Sequence, residues 1–171
     1  DSSVQTISGV YALLLGGRRY FFGDCTVNIT PTAEQLAQIA INTANVARTF
    51  GEKPTIAMLS YSDFGTHRDD PQTQTIRKAI KLVKSIDPSL NIDGEMQADT
   101  AVNSIIAKDF SFSNVAGKAN VLIFPNLLSG NISYKLLSEL GNATAIGPII
   151  VGMAQPVNAL SMGAKVSEIF N

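Results

Sequence analysis

AGKANVLIFPNLLSGNISYKLLSELGNATAIGPIIVGMAQPVNALSMGAKVSE, residues 116–168, is the stretch on which the fold turns. Residues 121–124 form a short unbroken apolar run, the pattern of a strand covered on both faces. Pro125 and Asn126 make a turn, residues 130–140 place apolar side chains at helical spacing, and Gly141 closes that helix. Residues 148–151 are a second apolar run, expected as another buried strand. A small-residue loop follows, from Met153 to Gly163, beyond a strand end where open α/β sheets bind their ligands. Asn158 and Ser161 offer it hydrogen-bonding groups for a polar ligand, and serve equally well as helix caps.

Working back towards the N-terminus, the same alternation holds. Residues 9–15 and 19–23 are β-prone runs separated by Gly16, Gly17 and Arg18, the glycine content of a hairpin. Pro31, after Thr30, opens a helix in which Leu36, Ile39, Ala40, Thr43, Ala47 and Phe50 recur at helical spacing up to Gly51. Residues 55–60 read as a strand, Pro71 as the start of a helix that ends before Pro88 with Ile76, Ala79, Ile80 and Val83 on its apolar face, 91–96 as a strand and 98–107 as a helix. Strands alternating with helices, preceded by a hairpin, predict an α/β fold: a three-layer α/β/α sandwich around a mixed sheet, with residues 1–171 as a single domain.

Composition narrows the function classes. Thirteen Lys and Arg against 14 Asp and Glu leave a net charge of −1, which offers nothing to a nucleic acid. Charged residues are only 16% of the chain, below the roughly 25% usual in globular proteins, so part of the surface is expected to be covered by another domain or subunit. The single Cys25 forms no internal disulfide and is expected to be a small buried residue near the hairpin exit. No apolar run approaches the roughly 20 residues of a membrane helix, no basic-then-apolar leader precedes the first strand, and a cytoplasmic setting is expected. Asn28, Asn131 and Asn142 sit in N-x-S/T triplets, read as chance matches in that setting. The chain begins at Asp1 and stops at Asn171 inside an apparently continuing element, as a piece excised from a longer polypeptide would.

Three further groups bear on chemistry. The loop Ser60, Tyr61, Ser62, Asp63, Phe64, Gly65, Thr66 follows a strand, and its hydroxyls and amides suit a phosphate or carboxylate; the plainer reading is a polar strand-to-helix connection. Asp93, Glu95 and Asp99 are close in sequence, and strand alternation would put Asp93 and Glu95 on one face; their spacing is not that of a calcium loop, and no metal site is assigned. His67 is a candidate general base, although a solvated loop ahead of a helix accounts for it more simply.

The stretches GDCTVNITPTAEQLA (23–37), SYSDFG (60–65), NIDGEMQ (91–97), AGKANVLIFP (116–125) and AIGPI (145–149) together resemble the phosphate acetyl/butyryl transferase family, and the likeness covers nearly the whole chain. The resemblance implies an isocitrate/isopropylmalate dehydrogenase-like sandwich and the second of two domains that flank an active cleft. It also implies acyl transfer between CoA and phosphate, and a site around Ser161. Family members carry an arginine where this chain has Met162, another where it has Glu139, and an aspartate where it has Glu168. Loss of two guanidinium groups removes bidentate partners for phosphate. DGEMQADTA and VGMAQPV further resemble the transferase-like C-terminal region of bacterial NADP-dependent malic enzymes. On that resemblance the chain is a regulatory and oligomerisation module of a decarboxylating malate dehydrogenase, with no cofactor of its own. Acetyl-CoA would be its effector, held by Ser60, Ser62, Gly65, Asn158 and Ser161, while NADP and a divalent metal would belong to the parent's other domains. An active transferase and a purely structural dimerisation domain are the alternatives.

Overall fold

The computed structural model describes residues 6–155 and Val157. Strands β1 (Ser8–Leu15) and β2 (Arg18–Gly23) form the hairpin, followed by α1 (Ala33–Thr49), β3 (Thr55–Leu59), α2 (Pro71–Ile86), β4 (Asn91–Met96) and α3 (Ala98–Val102). A 3₁₀ turn (Ile106–Phe110), β5 (Val121–Ile123), α4 (Leu127–Leu140) and β6 (Thr144–Val151) complete it. The six strands make one sheet in the order β4-β3-β5-β2-β1-β6. β4, β3, β5 and β2 run parallel, while β1 is antiparallel to both β2 and β6. The mixed α/β sheet expected from the sequence is therefore present.

Two apolar layers flank the sheet. On one face Leu36, Ile39, Ala40 and Ala47 of α1 and Ile76, Ala79 and Val83 of α2 pack against Val10, Phe21, Ile56, Ile92 and Val121. On the other, Leu13, Phe22, Ala57, Leu122 and Phe124 meet Ala101 of α3, with Tyr134 and Leu137 of α4 at the margin. Alternation along each strand sends neighbouring residues to opposite layers, as Ile56 and Ala57 or Phe21 and Phe22 show. Lys78 of α2 ties the two helices of the first layer by donating to Glu34 of α1 at 2.7 Å, and this bond holds the exposed Glu34 carboxyl down at about 2.

Four boundaries differ from expectation, each for a local reason. Thr32, not Thr30, caps α1: its hydroxyl accepts from the Gln35 amide while the Gln35 side chain accepts from the Thr32 amide, a capping box that leaves Pro31 outside the helix. The helix expected over 98–107 stops at Val102, because the Asn103 side chain accepts the Ile105 amide and competes with the helical bond. α4 starts at Leu127 on an Asn126 cap, so Gly130 lies inside the helix. β6 begins at Thr144 and sits at the sheet edge, every residue at least partly exposed, where a doubly covered strand was expected.

The turn after β2 hangs on one carboxylate. Asp24, 2% exposed, accepts from the amides of Gly9, Thr26, Val27 and Asn28 and from the Asn28 side chain, so it joins β1 to the chain entering α1. α4 crosses directly above: a Cβ on Gly130 would lie 2.5 Å from the Asp24 carbonyl and 3.2 Å from Cys25 Sγ. Asp24→Ala leaves several buried amides without an acceptor and is expected to lower unfolding free energy by about 3 kcal/mol or more in urea titration. A loss below about 1 kcal/mol would show that the carboxylate does not organise this turn.

Candidate ligand-binding site

The parallel strands β3, β4 and β5 end on one edge of the sheet, and the loop leaving β3 is folded over that edge. Ser60 N donates to the Met96 carbonyl at 2.9 Å and Phe64 N to the Glu95 carbonyl at 2.8 Å, so the loop is sewn to β4. Beneath it lies Glu95, wholly buried. Its Oε1 accepts from Gly65 N at 2.8 Å and Ser62 Oγ at 3.2 Å, and its Oε2 from Arg77 Nε of α2 at 2.8 Å. Arg77 Nη2 also donates to the His67 carbonyl and to Thr73 Oγ1, while His67 N donates to Ser62 Oγ. Asp63 accepts the amide and side chain of Gln97, pinning the loop at a second point.

The loop thus has the anion-binding chemistry anticipated for it, but its anion is the protein's own Glu95. Ser62 and Gly65, expected to contact a ligand, turn inward onto that carboxylate; Ser60 lies half-buried at the strand end, its hydroxyl accepting from Ser62 N. A charge removed from water demands a cation and hydrogen bonds. Arg77 and the loop supply both. A glutamate within a strand that otherwise packs into a core was the signal available in the sequence, since buried carboxylates are rare unless paired.

The other candidates fall apart as groups. A register shift between Met58 and Leu59 opposite Gly94 and Met96 puts Asp93 and Glu95 on opposite sides of the sheet, against the shared face expected from alternation. Asp93 accepts from Ser113 Oγ, whereas Glu95 pairs with Arg77 of α2. Asp99 accepts the Thr100 amide, and no group of three His, Cys, Asp or Glu gathers into a metal-sized cluster among the described residues. His67 is exposed, its ring tilted against Tyr61 at 5.0 Å, and no carboxylate or serine side chain bonds to the ring nitrogens among the described residues. Cys25 is buried as expected, and burial, reinforced by Asp24, pushes its thiol well up. Glu139 stands exposed in the last turn of α4. Asn158, Ser161, Met162 and Glu168 lie outside the described residues.

Two clefts lie near these elements. One, of about 430 Å³, is lined by Phe64, Gly65, Arg68, Arg77, Gly94, Glu95 and Phe112. The other, about 410 Å³ and largely apolar, lies between the second sheet face, α3 and α4. No helix among the described residues is long and apolar enough to cross a membrane.

A parallel-stranded sheet edge bearing a self-liganded loop and open clefts defines an α/β ligand-binding or transfer module of the kind that places its site beyond the strand ends. Comparison with known proteins makes it specific. Residues 1–171 match the family model Phosphate acetyl/butaryl transferase. The chain is 43% identical over 169 residues to a phosphate acetyltransferase of Bacillus subtilis, covering 98% of this chain and 52% of that protein. It is 45% identical over 164 residues to a phosphate acetyltransferase of Escherichia coli, covering 95% of this chain and 23% of that protein. A phosphotransacetylase from Streptococcus pyogenes superposes with a TM-score of 0.92 at 43% identity, over 99% of this chain and 52% of that one. The chain belongs to the phosphate acetyl/butyryl transferase family and spans about half the length, or less, of these relatives. The expectation of a malic enzyme parent, with its oxidoreductase chemistry and NADP, is overturned: the relatives are phosphate acetyltransferases.

Arg77→Ala strands the buried Glu95 charge, and should cost roughly 3–5 kcal/mol in chemical denaturation. Adding Glu95→Gln to that variant should recover more than half of the loss, because a neutral amide needs no counter-ion. Absence of recovery would mean that the damage comes from lost packing of the arginine stem.

Proposed function

We propose that this chain is one half of a transferase that moves an acyl group between CoA and phosphate. The observation that carries the reading is the 43–45% identity to phosphate acetyltransferases over 95–98% of the chain. In the reaction the CoA thiol attacks the acyl phosphate carbonyl and forms the thioester C–S bond, its proton passes to a carboxylate, and phosphate leaves with the electron pair of the broken acyl C–O bond. Glu168 is the proposed proton acceptor; Asn158 and Ser161 hold the acyl phosphate by hydrogen bonds, and Ser60 directly follows the end of β3. Ser62 and Gly65 act one step removed, by fixing the loop through Glu95. Acyl-CoA and phosphate are the partners, with the rest of the polypeptide supplying the opposite wall and cationic groups for the phosphate; a cytoplasmic setting belongs to the same reading.

A second reading rests on Glu139 and Met162, which stand where the family resemblance expects arginines. An anionic and an apolar side chain in those positions weaken phosphate capture, so the module would bind acyl-CoA without transferring the acyl group. Both readings meet one assay. The complete protein, given acetyl phosphate and CoA, is expected to form acetyl-CoA, and Met162→Arg to raise kcat at least about tenfold by returning a charge-assisted partner to the phosphate. No product above the uncatalysed rate, with acetyl-CoA still binding in calorimetry, would replace the first reading by the second.

A further inference from the structure

The cleft over Glu95 contains groups that neither the fold nor acyl transfer employs. Because Glu95 consumes the Ser62 hydroxyl and the Gly65 amide, the loop has no anion-binding capacity of its own left at that point. Arg77 is likewise committed, to Glu95. Arg68 is not: its guanidinium enters no salt bridge and no hydrogen bond among the described residues, although it lines the cleft. Its stem lies against Gly65, where a Cβ would come within 3.2 Å of Arg68 Nε, so the glycine at φ +93° lets the arginine lie along the loop. Nearby acids are accounted for: Asp63 holds Gln97 and Asp70 caps α2 by accepting the Thr73 amide, leaving Asp69 as the loop's exposed acid.

Aromatic rings line the same cleft. Phe64 and Phe112 meet edge to face at 4.9 Å, and Phe110 stands 5.3 Å from Phe64. Phe112 is 68% exposed, which leaves a large apolar face open to a planar partner. Phe64 takes a left-handed backbone at φ +43°, an uncommon conformation for an aromatic residue, stabilised by its own amide and that of Gly65 on Glu95. Strained residues of this kind concentrate at ligand sites. The cleft, about 430 Å³, falls within the roughly 300–1,000 Å³ of small-molecule sites.

We propose that this cleft binds a nucleoside phosphate, its phosphate on Arg68 and its base against Phe112 and Phe64. A bare anion would leave the aromatic wall unused, and an apolar ligand would leave the guanidinium unused. The same chemistry is carried by a free nucleotide and by the nucleotide end of CoA.

Calorimetry on the complete protein with ADP, adenosine and inorganic pyrophosphate tests the site. ADP is expected to bind and pyrophosphate to compete with it. Arg68→Ala should weaken both ADP and pyrophosphate at least about tenfold, while Phe112→Ala should weaken ADP several-fold and leave pyrophosphate unchanged. Both side chains are exposed, so thermal melting should be unaltered. A several-fold rise in KM for CoA with Arg68→Ala identifies the occupant as the nucleotide end of CoA; an unchanged KM with weakened ADP identifies a free nucleotide. No ADP binding at millimolar concentration, or ADP binding that neither substitution alters, overturns the proposal.

Discussion

A single buried carboxylate, Glu95, holds the working edge of this domain together. It lies in the edge strand β4, beneath the loop that leaves β3, and beside α2, and it bonds to all three. An uncompensated carboxylate in that position would be intolerable. The loop is therefore obliged to present Ser62 and Gly65 downward, Arg77 to reach across from α2, and Phe64 to adopt its left-handed turn. What the cleft offers above it, Arg68, Phe64 and Phe112, is what remains after Glu95 has been satisfied. Local geometry at the cleft is thus a consequence of charge burial in the core.

The sheet explains why that edge is where chemistry belongs. Four parallel strands put the loops after β2, β3, β4 and β5 at one end, and the antiparallel pair β1 and β6 extends the platform without covering it. The second carboxylate, Asp24, repeats the theme on a neighbouring loop, converging backbone amides of β1 and the segment leading to α1. α4 then passes close above at Gly130, where a side chain would strike the backbone below. Two buried acids thus each organise a strand-end loop through backbone amides.

Much of this was legible in the sequence. Glycine between apolar runs located the hairpin, and unbroken runs such as 55–59 and 121–123 located the central strands, because strands buried on both faces need no polar alternation. Other features were hidden. An apolar run does not distinguish a central strand from an edge one, yet Pro148 inside β6 carried the hint, since proline cannot donate to a ladder. The capping roles of Thr32 and Asn126 were displaced by the nearby Pro31 and Gly130, which attract attention as punctuation. The opposite orientations of Asp93 and Glu95 depend on a register shift that no alternation rule anticipates. Ser62 and Gly65 were recognised as anion-binding groups; that the anion is thirty residues further along the same chain is a property of tertiary pairing.

Hydrogen exchange of the Phe64 and Gly65 amides tests most directly whether Glu95 organises the loop, because both amides donate to that residue, one to its carbonyl and one to its carboxylate. In Glu95→Ala the Gly65 amide should lose its protection together with the neighbouring loop, while the central strand β3 keeps its protection relative to global unfolding. Unchanged protection at Gly65 in that variant would contradict the account and show that the loop holds its shape without the buried carboxylate.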